Sequence, residues 1–385
     1  MDAKQATQSQ IARDRDRLVA LSHRLHAHPE IGWEEERACG WLAEMLADAG
    51  FAVEAGCYEL PTAFVARAGS GPLHVAICAE YDALPEIGHA CGHNIIAASA
   101  VGAAVAAAQV ADELGLTISV IGTPAEEILG SQSGGKILLL ERGAFNGVHA
   151  AMMVHPGSTN ILEPGLIAAT AFEVEYTGRT AHAGASPHLG VNAADALVVA
   201  QTAIGLLRQQ LRPTDRVHGI VTKGGDAVNV VPAQTTASYG VRASVLDDLV
   251  DVRDKVFRCF EAGALATGAT LTISGGERPY AEGRWDPELS AVFGRNAEAL
   301  GRVFEAAPMP ASTDMGNISH VIPTIHPMLG IDSLPAVNHQ PEFTAHTITE
   351  AGDRAIVDGA TALAWTIVDI AANAEVRERL LQRAP

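Results

Sequence analysis

Four short motifs in the first half of the sequence carry side chains that could bind a metal ion. They are AEYD (79–82), GHACGHN (88–94), PAEE (124–127) and VHPG (154–157). Thiolate, imidazole and carboxylate groups are ligands for zinc, and for manganese or cobalt where oxygen ligands dominate. Two adjacent glutamates can divide the work, because one can bind the metal while the other acts as general base for a metal-activated water.

These motifs follow predicted strands. The apolar run 73–79 leads into Glu80 and Asp82, the run 116–123 leads into the glutamate pair, and the run 149–154 leads into a histidine. In an α/β sheet the C-terminal ends of neighbouring strands converge on one crevice. The residues expected to meet there are Cys91, His93, Glu126, Glu127 and His155.

Each motif alone also has a plainer interpretation. A single histidine at a strand end usually makes structural hydrogen bonds, and a glutamate pair is usually the solvated start of a helix. Cys91 with His93 or His155 would suit a cysteine hydrolase, and a catalytically silent metal-binding scaffold is a further alternative. The coincidence of the motifs on three successive strand ends favours a metal site, because functional sites collect titratable groups.

Composition and charge argue against several classes of protein. A length of 385 residues indicates two domains, and 48% hydrophobic with 18% charged residues is typical of a well-packed soluble protein. The formal net charge of −19 argues against nucleic acid or an anionic membrane as a partner, because phosphate would be repelled. Five scattered cysteines do not form a disulfide framework, and the polar N-terminus lacks an apolar signal segment, so we expect a cytoplasmic protein.

Alternating strands and helices predict an α/β fold with a mixed, mostly parallel sheet between helices. After residue 166 the order strand, helix, strand, strand, helix, strand is typical of a ferredoxin-like α+β sandwich. We therefore expect one domain in two parts, 1–165 and 282–385, and an inserted domain over 166–281. The predicted helices are 9–28, 34–49, a buried Ala-rich helix capped by Asn94, 134–142, 190–210, 247–267 and 348–381; the predicted strands are 61–69, 72–80, 116–124, 149–156, 167–178, 219–232, 234–244 and 269–275.

Five longer motifs occur in order along the first half of the chain. They are LHAHPEIGWEE, AEYDALPEIGHACGHN, GTPAEE, GAFNGVHAAMMVHPG and GRTAHAGASPHLGVNAADA. With these motifs the sequence resembles the dinuclear metallopeptidase and amidohydrolase family of aminoacylases, auxin-conjugate hydrolases and aminobenzoyl-glutamate hydrolases. The resemblance is strongest to the branch that contains aminobenzoyl-glutamate hydrolase and its dipeptidase-like relatives, and it covers nearly the whole chain, more diffusely after residue 230.

The resemblance implies roles for the residues of the metal site. Glu126 matches the general base, and Asp82 matches the acid that orients a ligand histidine. Two departures from the family pattern bear on the pocket: Glu80 stands where an aspartate is more usual, and the segment after the glutamate pair is long enough to overhang the base. The implied metal ligands are Cys91, His93, Glu127, His155 and His339, with His320 and His346 as rivals for the last place.

Further residues are candidates for contact with the substrate. His182 matches an inserted-domain histidine that reaches the substrate carbonyl, in dimers often from the partner subunit, and Asn229 matches an asparagine near the substrate. Asp314 lies where relatives have an acidic residue near the site, although a structural role is the plainer interpretation. Arg242 could bind a substrate carboxylate, with an ordinary surface arginine as the plainer alternative.

The reaction implied by the resemblance is hydrolysis of a small linear amide. Two divalent ions (Zn, Mn or Co), bridged by the Cys91 thiolate and a water, would polarise the amide carbonyl, and His182 would stabilise the oxyanion. The expected substrate is an N-acyl amino acid, an aminobenzoyl-glutamate-like conjugate or a dipeptide. The resemblance also implies that the two-part domain is catalytic and that the inserted domain is a lid or dimerisation domain, through which a homodimer forms.

Overall fold

The computed structural model describes residues 2–127, 134–306 and 311–382, and these residues form two compact units. Among the described residues, 2–127, 134–166, 283–306 and 311–382 belong to the first unit, and the segment Ile167–Glu282 belongs to the second. The prediction of a long segment overhanging the general base falls on residues 128–133, which lie outside the described residues. The role of the second unit as a lid or dimerisation domain stays a prediction.

The first part of the chain alternates helices and strands, as predicted. The predicted strand 149–156 is wrong in one respect, because it is two short strands that pair with different neighbours. The elements are α1 Ala3–Ala27, α2 Glu36–Asp48, β1 Ala52–Ala55, β2 Phe64–Gly69, β3 Leu73–Glu80, α3 His93–Ala108, α4 Ala111–Leu114, β4 Leu116–Thr123, α5 Gly135–Glu141, β5 Ala150–Met152 and β6 His155–Gly157.

The second unit is an antiparallel sheet with two helices. Its elements are β7 Ala168–Thr177, α6 Ala193–Leu207, β8 Arg216–Lys223, β9 Gln234–Ala243, α7 Leu246–Thr267 and β10 Thr270–Gly275, with short 3₁₀ turns at Pro187–Leu189 and Arg208–Gln210. The strand order is β10-β7-β9-β8, and buried residues alternate along β7 and β9 because one face packs on the helices. The predicted strand 219–232 ends early, at Lys223, because two glycines follow and Gly225 has a φ of +130°.

The last part of the chain returns to the first unit. Its elements are α8 Pro287–Ala299, α9 Met315–Ser319, β11 Thr324–Ile325, β12 Met328–Gly330, α10 Pro341–His346, α11 Glu350–Ala372 and α12 Ala374–Gln382. The predicted single helix 348–381 is wrong, because Asn373 has extended backbone between two helices. The side chain of Asn373 accepts hydrogen bonds from the amides of Glu375 and Val376 and so begins α12.

The central sheet of the first unit has the order β1-β2-β4-β3-β5-β11. Strands β4, β3, β5 and β11 are mutually parallel, and β1 and β2 add antiparallel pairs at one edge. The Ala-rich helix α3 is buried along nearly its whole length and packs on α1, α11 and the sheet. The predicted fold class and the buried core helix are therefore confirmed. Among the described residues, α11 is apolar and long enough to cross a membrane, but most of it is buried in the core.

Candidate metal centre

The metal-site motifs lie at the C-terminal ends of the parallel strands and at the start of α3. Gly92, between Cys91 and His93, has a φ of +83°, a conformation that favours glycine. A Cβ at Gly92 would lie 2.4 Å from Pro156 Cγ, so the absence of a side chain lets the start of α3 approach β6 closely. This approach brings Cys91 to within 3.4 Å of His155 Nε2.

Three overlapping groups of ligand atoms lie together among the described residues: Glu80 with His93 and Glu126, and two groups that contain Cys91. Of the latter two, one consists of Cys91, His93 and His155, and the other of Cys91, Glu127 and His339; within each group all ligand atoms lie within 4.8 Å of one another. These two groups share the Cys91 sulfur. A shared thiolate is the arrangement expected if two ions are held side by side.

The chemistry of the donor set fits a divalent metal ion. The set combines thiolate, imidazole and carboxylate, the ligands of zinc and of similar borderline ions. His93 Nε2 is buried and has no hydrogen-bond partner among the described residues. Leaving a buried polar atom unsatisfied costs about 1–3 kcal/mol, a cost that coordination of a cation would remove.

Asp82 holds two of the candidate ligands in place. Its Oδ1 lies 3.0 Å and its backbone oxygen 2.8 Å from His93 Nδ1, while its Oδ2 accepts a hydrogen bond of 2.9 Å from the Glu127 amide. The Nδ1 proton therefore points at Asp82, which leaves Nε2 to face the ligand cluster.

Electrostatics favour the ionised thiol. Burial and Glu127 act against ionisation, but His155 and His93 lower the pKa of Cys91 to about 6. A thiolate at neutral pH suits a metal ligand, and it would suit a nucleophile as well.

Glu126 has a different environment from Glu127. Its side chain is buried, and Oε2 lies 3.8 Å from His93 Nε2. Burial, together with the charges of Glu80, Glu127 and Asp314, raises the pKa of Glu126 well above its ordinary value. A carboxylate with a raised pKa is a stronger proton acceptor, as a general base should be.

Lys136 is a site residue that the sequence analysis missed. It is fully buried, and its Nζ lies 2.6 Å from both Glu80 Oε1 and Asp314 Oδ1. Although burial opposes ionisation, Lys136 and the nearby histidines lower the pKa of Glu80 to about 2. The available signal was a lone lysine at the start of the apolar run KILLL (136–140), where a charge needs a buried partner.

The structure also places the remaining predicted residues of the first unit. His339 lies 3.4 Å from Glu127 Oε1, and among the described residues neither His320 nor His346 occurs in a ligand group. Asn94 is not the cap of α3, because the helix begins one residue earlier and the Asn94 side chain donates to Ser22 in the core. His326, which the sequence analysis did not single out for the site, lies beside the candidate ligand His155, with the two ring centres 5.4 Å apart and the ring planes tilted by 32°.

Three predicted substrate-contact residues lie in the second unit. His182 is exposed, and its Nδ1 accepts hydrogen bonds from the amides of Gly184 and Ala185, which leaves its ring proton on Nε2. The backbone oxygen of Asn229 accepts from Ala183, so Asn229 lies beside His182. Arg242 lines a cavity of about 400 Å³ on the sheet, together with His218, Ser238 and Thr170.

Comparison with known proteins supplies the family context. The family profile described as peptidase family M20/M25/M40 matches residues 76–366. The chain is 39% identical to Xaa-Arg dipeptidase of Mus musculus, covering 92% of this chain and 86% of the relative. It is 32% identical to one subunit of the p-aminobenzoyl-glutamate hydrolase of Escherichia coli K12, covering 68% of this chain and 58% of the relative. A Bacillus subtilis structure described as a dinuclear metal-binding peptidase superimposes with a TM-score of 0.65 at 22% identity, covering 93% of this chain and 99% of that one.

Proposed function

Because the chain belongs to peptidase family M20/M25/M40, whose members are metal-dependent hydrolases of amide bonds, we propose that it cleaves small dipeptides or N-acyl amino acids at a two-metal site. The observation that carries this proposal is the pair of ligand groups that share Cys91. The proposed ligands are Cys91, His93, Glu127, His155 and His339. When bound, two divalent ions would polarise the amide carbonyl and make the attacking water more acidic.

In the proposed reaction, Glu126 accepts the proton of the attacking water and passes it to the departing amine. Its buried position beside His93 and its raised pKa support this role. Asp82 keeps the proton of His93 on Nδ1 and fixes the Glu127 backbone, so that both side chains present their ligand atoms.

On the substrate side, we propose that His182 donates a hydrogen bond from Nε2 to the developing oxyanion. The two amides on its Nδ1 support this tautomer. We assign Asn229 to the same substrate end, and Arg242, in its sheet cavity, to the substrate carboxylate.

A dipeptide with a basic C-terminal residue is the first substrate to test. The relative with 39% identity is an Xaa-Arg dipeptidase, and a net charge of −19 would attract a cationic substrate. Aminobenzoyl-glutamate and N-acetyl amino acids form the rest of the panel. Hydrolysis of none of these amides by the metal-loaded protein would contradict the proposal.

The cysteine-hydrolase alternative is not favoured, and inhibitors separate the two mechanisms. Cys91 is buried between candidate ligands, which suits coordination better than attack on a substrate. The metal mechanism predicts loss of activity in EDTA and recovery with Zn²⁺, Mn²⁺ or Co²⁺. A cysteine nucleophile predicts indifference to EDTA.

We further propose a homodimer through the second unit. Strand β8 is an edge of its sheet, and Ile220 and Val221 on that strand are 66% and 47% exposed. On α6, Val198 and Leu206 are also exposed. An unpaired edge strand beside exposed apolar side chains favours association with a second copy.

We also propose that the protein functions in the cytoplasm. All five cysteines are unpaired thiols, and Cys39, Cys57, Cys78 and Cys91 are buried. Buried free thiols are typical of proteins that fold in a reducing compartment.

A further inference from the structure

The residue before the glutamate pair has an unusual backbone conformation. Ala125 has a φ of +52°, in the left-handed region that alanine rarely adopts. This conformation costs roughly 1–2 kcal/mol for a residue with a Cβ, so the surrounding structure must hold it in place. Because Glu126 and Glu127 follow directly, the turn at Ala125 sets the direction in which both side chains point.

The carboxyl group of Glu35 holds this turn. Glu35 Oε1 accepts a hydrogen bond of 2.8 Å from the Ala125 amide, across 90 residues of sequence. Glu35 is 0% exposed, although a carboxylate is costly to bury. It comes directly before α2, in the motif HPEIGWEE (28–35) that the proposed catalytic steps do not use.

The segment around Glu35 is shaped to receive the turn. A Cβ at Gly32 would lie 2.9 Å from the Ala125 Cβ, so the glycine provides the space for that methyl group. On the other side, the Ala125 oxygen accepts hydrogen bonds from the amides of Gly134 and Gly135. Glu35, Gly32 and the two later glycines therefore fix both peptide groups of Ala125.

The Glu35 carboxyl can accept the hydrogen bond from the Ala125 amide whether or not it is ionised. Burial, assisted by the nearby Asp82, raises the pKa of Glu35 to about 7. A carbonyl oxygen of an amide would accept the same hydrogen bond, so glutamine should replace glutamate without loss.

We propose that Glu35 is a positioning residue for the hydrolytic reaction, which by binding the Ala125 amide aims Glu126 and Glu127 into the metal centre. The expected effect on turnover rests on the proposed function. The expected effect on metal binding rests only on the proposal that Glu127 is a metal ligand. A displacement of about 1 Å in a catalytic group can lower the rate about 100-fold.

The test compares Glu35→Leu, which removes the acceptor, with Glu35→Gln, which keeps it. Glu35→Leu should lower kcat about 10- to 100-fold with little change in KM, and should weaken binding of the second Co²⁺ ion in an absorption titration. Glu35→Gln should retain kcat and Co²⁺ affinity within about threefold of the unmodified protein. Ala125→Gly, added to Glu35→Leu in a double variant, should restore part of the lost activity because glycine adopts the left-handed turn freely.

Equal losses in Glu35→Leu and Glu35→Gln, or unchanged kcat and Co²⁺ affinity in Glu35→Leu, would overturn the inference. If Glu35→Leu does not fold, Gly32→Ala provides a second test. Its methyl group would clash with the Ala125 Cβ while the hydrogen-bond acceptor of Glu35 is kept. A folded Gly32→Ala with ordinary kcat and Co²⁺ affinity would also overturn it. If no amide is hydrolysed but Co²⁺ binding responds as expected, the proposed function fails, and the role of Glu35 in positioning Glu127 for metal binding stands.

Discussion

At the scale of single residues, the buried lysine shows how the site tolerates a concentration of acidic groups. Glu80, Asp314 and Glu126 lie close enough to influence one another's pKa. The Lys136 ammonium contacts Glu80 and Asp314 directly, so these two buried carboxylates share one positive charge inside the protein.

Lys136→Met should destabilise the fold strongly, because it leaves two buried carboxylates without a cation. The expected loss in the free energy of unfolding is about 3–5 kcal/mol, measured by urea denaturation at neutral pH. Lys255→Met is the matched control, since its ion pair with Asp251 is exposed and its loss should leave the free energy of unfolding nearly unchanged. Similar losses in the two variants would contradict the structural role of Lys136.

A half-buried histidine away from the metal centre gives a prediction for pH. Burial, with a smaller effect of Arg67, lowers the pKa of His74 from 6.5 to about 4. Because the folded protein binds this proton less tightly than the unfolded chain, His74 contributes stability that is complete above pH 6.5 and is lost as the pH falls towards 4. His74→Gln should therefore show a smaller fall in the free energy of unfolding between pH 7 and pH 5, and an unchanged fall would contradict the assignment.

At the scale of elements, the sequence could predict which strands bring the ligands together. Long apolar runs and the alternation of strand and helix predicted the succession of strands and helices along the chain, and the convergence of strand ends then followed from general rules of α/β folds. The contacts of Glu35 and Lys136 could not be found this way. They join segments far apart in the chain, and only tertiary packing decides which partner a buried charge meets.

Two predictions from the local sequence were wrong because tertiary packing decided the structure there. Asn94 has the side chain of a helix cap, but α3 begins at His93 because left-handed Gly92 turns the chain and Ser22 binds the Asn94 amide in the core. The apolar run 149–156 predicts one strand, but β5 and β6 pair in different sheets. The split places His155 beside Cys91.

Gly92→Ala should separate α3 from β6 and weaken the metal centre. The new methyl group would lie 2.4 Å from Pro156 Cγ, in addition to the left-handed φ. We expect at least about a tenfold loss of Zn²⁺ affinity by competition with a chelator, a loss of the size that displaced metal-supporting groups produce.

Gly147→Ala is the control for Gly92→Ala. Gly147 also has a positive φ, of +75°, but nothing lies within 4 Å of its Cβ position. The control should lose about 1 kcal/mol of stability and keep its Zn²⁺ affinity. Equal Zn²⁺ affinity in the two variants would show that the close approach at Gly92 is not needed.

At the scale of the whole molecule, the proposed dimer makes the exposed edge of the second unit important. Ile220→Glu would place a charge on the outer strand β8, where pairing with a second copy would bury it. We expect this variant to be monomeric in analytical ultracentrifugation at concentrations where the unmodified protein is a dimer. Leu265→Glu, on α7 at 88% exposure, should leave the dimer intact. If Ile220→Glu is still a dimer, the interface does not include the edge strand β8.

The central claim is that two metal ions and the Glu126 carboxylate divide the chemistry between them. The most direct measurement is metal analysis of the unmodified protein and of Glu126→Gln, with hydrolysis of the best dipeptide measured on the same samples. The account predicts two ions per chain in both proteins and a loss of turnover of about a thousandfold or more in the variant. Loss of metal from Glu126→Gln, or turnover that persists in it, would contradict the assignment of Glu126 as the base.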